Sequence, residues 1–183
     1  ESNNVLRDFL HLKEIDARYS ATIALIKNEQ SLTAANLEAI AADTSYRNDF
    51  YNELKKLNKL KLFPPRYATQ LKIAESEIFS LGSDDDYVPS SVTFIGERTA
   101  VFMDKKQKFY LFKLAYSNED GTTFNLGITG PYSLSGGEII TSSDASGVVW
   151  DEEYSKSKLD EQFKKHLSET EEYLKKKDQP SEK

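Results

Sequence analysis

A chain of 183 residues, 38% hydrophobic and 30% charged, with a net charge of −6, is long enough to bury about 70% of the surface that its unfolded form exposes. It contains no cysteine, which excludes disulfides, thiolate zinc sites and cysteine nucleophiles. Both signs of charge are interspersed without a basic stripe, which argues against nucleic acid, and no apolar run approaches the ~20 residues of a membrane span.

The first segment, over 4–28, places Leu6, Phe9, Leu10, Ile15, Tyr19, Ile23 and Ile26 at spacings of three to five, a loosely kept helical period. The next helix opens at Thr33, a hydroxyl N-cap flanked by the staple positions Leu32 and Leu37, and runs to about Ala42. Asp43 reads as the N-cap of a third helix, with Tyr46, Phe50, Leu54 and Leu57 on one face. Pro64 and Pro65 end the helical pattern, because proline lacks the donor and restricts its predecessor. They mark the expected boundary between a helical part (1–62) and a sheet-containing part (63–177), with 178–183 as a tail.

A short helix over 69–79 and an acidic loop at Asp84, Asp85 and Asp86 follow. From Val92 the period changes to two and the composition to β-branched and aromatic residues. Strands are predicted over 92–103, 109–116 and 122–129, joined by turns at 104–107 and 118–121, as an antiparallel meander. Tyr110, Phe112, Leu114 and Tyr116 share one face of the second strand, and Phe124, Leu126 and Ile128 one face of the third; those faces are expected to be buried. A Ser- and Gly-rich stretch over 133–147 surrounds a short strand at 138–141, and Val148, Val149 and Trp150 add a strand or an anchor. A last helix over 155–175, striped with Leu159, Phe163, Leu167 and Leu174, is predicted to pack on the sheet. The fold class is therefore α+β: N-terminal helices, an antiparallel meander and a long C-terminal helix.

The chemistry-bearing motifs are sparse. His11 and His166 have no neighbouring nucleophile pattern and read as ordinary surface or boundary histidines. Ser155 and Lys158 match S-x-x-K, but a serine at a helix start is expected as a cap. The Asp84–Asp86 run lacks the alternating ligands and glycine of a calcium loop and reads as a solvated turn. No catalytic residue, metal ligand or cofactor is assigned. Arg66, Tyr67, Tyr132 and Trp150 stand beside Pro, Gly or segment ends, where rings and a guanidinium could meet an acidic or glycan ligand, or plug the joint between helices and sheet.

The segments Leu62-Phe63-Pro64-Pro65-Arg66-Tyr67-Ala68-Thr69-Gln70, Ile40-Ala41-Ala42-Asp43 with Tyr46-Arg47, and Gly127-Ile128-Thr129-Gly130-Pro131-Tyr132 resemble the C-terminal region of uncharacterised bacterial proteins with HEAT-like helical repeats. The resemblance covers about 37–132 and implies a last repeat helix, a terminal β module and a scaffold role, without catalytic residues. The expected function is a non-catalytic module that binds an unknown protein or a small ligand. The alternatives are a hydrolase using scattered carboxylates and a structural subunit that homodimerises. A chain that starts at Glu1 with its sole methionine at Met103 reads as a processed or trimmed product, and export to the periplasm or envelope is the expected compartment over the cytoplasm.

Overall fold

The loosely spaced apolar residues at the start of the chain form two helices where the sequence predicts one. In the computed structural model, which describes residues 2–177, α1 (Ser2–Phe9) and α2 (Ile15–Lys27) are separated by a turn. Leu10 packs with Ala21 and Leu25, and Leu6 and Leu32 cover that cluster. In one straight helix Leu10 and Leu25 would stand about 22 Å apart along the axis, so only a break lets them meet. A hydrogen bond from Asn28 Nδ2 to Asn3 Oδ1 at 3.1 Å ties the two helices at their far ends.

Helix α3 (Ala34–Ala42) opens on Thr33 in a capping box: Asn36 N donates to Thr33 Oγ1 at 3.2 Å, and Thr33 N donates back to Asn36 Oδ1 at 3.3 Å. Asp43, expected to cap the next helix, ends α3 instead, and its Oδ1 accepts from Ser45 N at 2.9 Å in the intervening turn. Helix α4 (Arg47–Lys56) buries Phe50, Tyr51 and Leu54 and, on the same face, Arg47. The Arg47 guanidinium donates to the last carbonyls of α3, Ala41 O at 2.7 Å and Ala42 O at 2.9 Å. It also donates to Lys72 O at 3.0 Å and Glu75 Oε2 at 2.8 Å. Orphan carbonyls at a helix end need donors, and here a charged fork supplies them. Phe63 is buried, with its ring 5.7 Å from Phe50 and 5.1 Å from Tyr51, between the 3-10 turns Leu60–Leu62 and Pro65–Tyr67.

Helix α5 (Gln70–Leu81) starts at Thr69, whose Oγ1 accepts from Lys72 N at 3.3 Å. The chain divides into two compact units, Glu1–Ser76 and Glu77–Lys183, so the division falls within α5, downstream of the Pro64-Pro65 break. The tail predicted over 178–183 lies outside the described residues.

The second unit is built on an antiparallel sheet in the order β1 (Ser91–Phe102), β2 (Lys105–Asn118), β3 (Gly121–Tyr132) and β4 (Gly147–Val149). A bulge interrupts β1 between Phe94 and Gly96. The segment 138–141, predicted as a strand, is irregular, and β4 takes the place beside β3 through the pairs Leu126↔Val149 and Ile128↔Gly147. Strand β2 is covered on both faces, which a period-two reading does not reveal. Phe109 and Leu111 are as buried as Phe112 and Leu114. Helix α6 (Leu159–Lys177) lays Phe163 and Leu167 against Phe102, Phe109, Leu111, Leu126 and Ile128. On the opposite face Ile78 of α5 approaches so closely that a Cβ on Gly127 would stand 2.5 Å from Ile78 Cγ1 and from Leu114 Cδ1. Phe124, expected inside, stays partly exposed, with Lys113 Nζ 4.6 Å from its ring centroid.

Candidate functional site

A ring-lined concavity in the second unit lies where the end of β2, the middle of β3 and the segment after β4 come together. Its base is fixed by hydrogen bonds. Tyr116, near the end of β2, donates from its hydroxyl to Gly82 O at 2.9 Å. Asn125 of β3 donates from Nδ2 to Val149 O at 2.9 Å, which holds β4 in place and delivers Trp150 next to Tyr116, with ring centroids 5.5 Å apart. The loop after α5 folds on Asp84, whose Oδ1 accepts from Asp86 N at 2.9 Å and Tyr87 N at 2.7 Å, an Asx-type turn that presents Tyr87.

Beyond Trp150 the chain carries Asp151, Glu152 and Glu153. Buried Gln162 of α6 fixes the backbone there: its Nε2 donates to Glu153 O at 2.8 Å, and its Oε1 accepts from Ser155 N at 3.3 Å. Tyr154 N donates to Phe124 O at 2.7 Å. The result is a cleft of about 460 Å³ lined by Asp84, Tyr87, Tyr116, Asn125, Trp150 and the acidic run from Asp151 to Glu153, with Thr123 at its edge. That volume lies in the range of small-molecule sites.

Its field is negative. Lys165 of α6 ion-pairs with Asp151 and Glu152, and the Lys165 ammonium holds the Asp151 carboxyl below its ordinary value. Asp84 and Glu153 have no ion pair among the described residues. Burial, with the Asp84 charge adding to it, pushes the Tyr116 phenol up to about 12, so it remains a neutral ring and donor at neutral pH. The carboxylates form no cluster of metal-holding geometry among the described residues.

Of the four residues singled out from sequence, Trp150 alone lines this cleft. Arg66 and Tyr67 lie in the first unit, where the Arg66 guanidinium pairs with Glu38 and sits 4.8 Å from the Tyr67 ring centroid. Arg47 approaches the same ring at 5.4 Å. Tyr132 is buried in the second unit, with its ring 5.2 Å from that of Tyr110. Tyr110 and Tyr116 are six positions apart on β2, about 20 Å along an extended strand, so Tyr132 and Trp150 sit at opposite ends of the β2–β3 pair. His166 is mostly buried, its Nε2 is 3.0 Å from Ala145 O, and burial holds its pKa below the ordinary value. Ser155 Oγ pairs with Ser157 Oγ at 3.0 Å.

Tyr132 belongs to a second polar site. Its hydroxyl donates to Glu77 Oε2 at 3.1 Å, and Ser143 N donates to Glu77 Oε1 at 2.9 Å. Burial pushes the Glu77 carboxyl up, against the opposing pull of these hydrogen bonds. A carboxyl that holds its proton more tightly when folded stabilises the fold below the ordinary carboxyl range, and that contribution is lost as pH rises through the raised folded value. Glu77→Gln is therefore expected to flatten the decline in urea midpoint as pH rises above the ordinary carboxyl range. Equal slopes for the two proteins would remove Glu77 from the account.

These features define an α+β protein with an acidic, ring-lined cleft in its sheet-containing unit. No family model matches the chain, and neither curated proteins nor solved structures match it. Among the described residues no helix is long and apolar enough to cross a membrane. Sequence reasoning met Trp150 and the Asp84 run separately; what it missed is their meeting, which depends on the β3–β4 register and the Gln162 bonds.

Proposed function

We propose that the protein is a non-catalytic ligand-binding module whose binding site is the cleft around Trp150. The observation that carries this reading is the pair of large rings left open to solvent in a concave site: Tyr87 is 58% and Trp150 53% exposed, and both line the cleft with Tyr116. Apolar surface gathered in a concavity with a few fixed polar groups is the common form of a small-molecule site. The reading keeps the scaffold role that the resemblance to HEAT-like proteins implies and adds a ligand to it. A hydrolase is less well supported, because a general acid needs a raised pKa and the carboxyl pushed up by burial is Glu77, bonded to Tyr132 and Ser143 and not part of the cleft lining.

Trp150 is the sole tryptophan, so intrinsic emission reports on the cleft. A panel of cationic, neutral and anionic small molecules is expected to contain members that shift Trp150 emission saturably. Tyr87→Ala is expected to weaken that response by at least about fivefold, with the unfolding midpoint held within about 0.5 kcal/mol because Tyr87 is exposed. A panel that leaves both emission and unfolding midpoint unmoved would overturn the proposal.

A further inference from the structure

We infer that the cleft takes an alkyl-ammonium group that carries N–H donors, as on a lysine side chain or a free aliphatic amine. The inference rests on the reading of the cleft as a ligand site and names what it selects. Three independent features of the lining converge on that chemistry.

The first is charge. Asp84, Asp151, Glu152 and Glu153 line the cleft, and no lysine or arginine does. Lys165 engages Asp151 and Glu152, whereas Asp84 and Glu153 keep uncompensated charge, so a carboxylate or phosphate ligand is repelled and a cation is drawn in. The second is the rings. Tyr87 and Trp150, both open to solvent, offer electron-rich faces, indole being the stronger of the two for a cation, and Tyr116 packs against Trp150.

The third is Asn125. It lines the cleft and is only 9% exposed, and its Nδ2 is committed to Val149 O at 2.9 Å. That bond fixes which end of the amide is which. Oδ1, at the other end, accepts no hydrogen bond among the described residues, and it is not one of the fully enclosed atoms left without a partner. It is therefore a solvent-reached acceptor on a cleft-lining residue, one that a ligand N–H can engage in place of water. A quaternary ammonium has the charge but not the donor; a neutral alcohol has the donor but not the charge. An N–H-bearing ammonium satisfies carboxylates, rings and Asn125 Oδ1 together, and about 460 Å³ leaves room for the alkyl chain behind it.

The test is titration of the full chain with n-butylammonium, butyltrimethylammonium, n-butanol, butyrate and Nα-acetyl-lysine methylamide at low ionic strength, read by Trp150 emission. The expected order places n-butylammonium or the lysine amide at least about tenfold tighter than butyltrimethylammonium, with butanol and butyrate without effect. A tighter lysine amide marks a peptide lysine as the source of the group, and a tighter butylammonium marks a free amine; both support the assignment. Asn125→Leu is expected to bring the primary and quaternary ammonium ions within about twofold of each other. Should that variant lose its fold with the bond to Val149 O, Glu153→Gln provides the second test. Glu153 is exposed and makes no side-chain hydrogen bond or ion pair among the described residues, and the variant is expected to weaken butylammonium severalfold and to reduce the salt dependence of binding. Quaternary ammonium binding as tightly as the primary, or butanol matching butylammonium, would overturn the inference. Emission that responds to neutral or anionic ligands but not to ammonium also overturns it while leaving the cleft a ligand site, and silence to all five sinks both readings.

Discussion

Arg47→Ala is expected to destabilise the unit Glu1–Ser76 by about 3–5 kcal/mol, the magnitude seen when one partner is removed from a buried charged network. Arg47 is 3% exposed, and its fork reaches Ala41 O, Ala42 O, Lys72 O and Glu75 Oε2 at 2.7–3.0 Å. Without it, three backbone acceptors lose a charged donor, each at about 1 kcal/mol or more. Glu75 retains Lys72 Nζ at 2.9 Å, so the carboxylate is the smaller part of the loss. Arg47→Lys is expected to restore less than half, since a single ammonium cannot span acceptors at the end of α3 and in α5 at once. Urea unfolding followed by far-UV circular dichroism measures the change, and a midpoint within about 0.5 kcal/mol of wild type would show that the network contributes nothing net.

Phe163→Ala is expected to lower the stability of the other unit by about 3–5 kcal/mol. The ring is 5% exposed, stands edge-on to Phe109 at 5.5 Å, and is walled by Leu111, Leu126 and Ile128. The strands it touches are hydrogen-bonded ladders that cannot collapse into the space it leaves, so most of the cavity persists. Tyr173→Ala, on the open side of the same helix, is the matched control and is expected to stay within about 0.5 kcal/mol. Because Trp150 lies in this unit, its emission during unfolding isolates the Phe163 effect from changes in the helical unit. Coincident curves for Phe163→Ala and wild type would mean that α6 is not needed to close the core. By the same reasoning a chain ending at Trp150, which lacks Phe163 and Leu167, is expected to be molten.

What could be read from the residues was local or periodic. The change of period at Val92 announced the sheet, Thr33 with Leu32 and Leu37 announced a helix start, and the turn residues at 118–121 placed a hairpin that the pair Asn118↔Gly121 closes. What could not be read depends on contacts distant in the chain. The break after α1 is dictated by Leu10 meeting Leu25, and the loss of the strand at 138–141 by β4 occupying that side of β3. Burial of both faces of β2 needs two covering helices that alternation along one strand cannot report. Arg47 carried a usable signal: it stands three, four and seven positions before Phe50, Tyr51 and Leu54, on the apolar face where a charge requires a dedicated partner set. The cleft had no such signal, since its acids and rings come from three separated stretches and mean little until the β3–β4 register joins them.

The bulge in β1 bears on how the protein behaves when crowded. β1 is an edge strand of 12 residues with Val101 67% exposed, and a long open edge is a template on which further chains can polymerise. The register shift at Gly96, followed at once by Glu97 and Arg98, breaks that template into two short halves separated by charge. A straightened β1 with neutral residues at those two positions would present an uninterrupted edge, the kind of surface on which strands of other chains add, so the defect in the ladder works against edge-to-edge pairing.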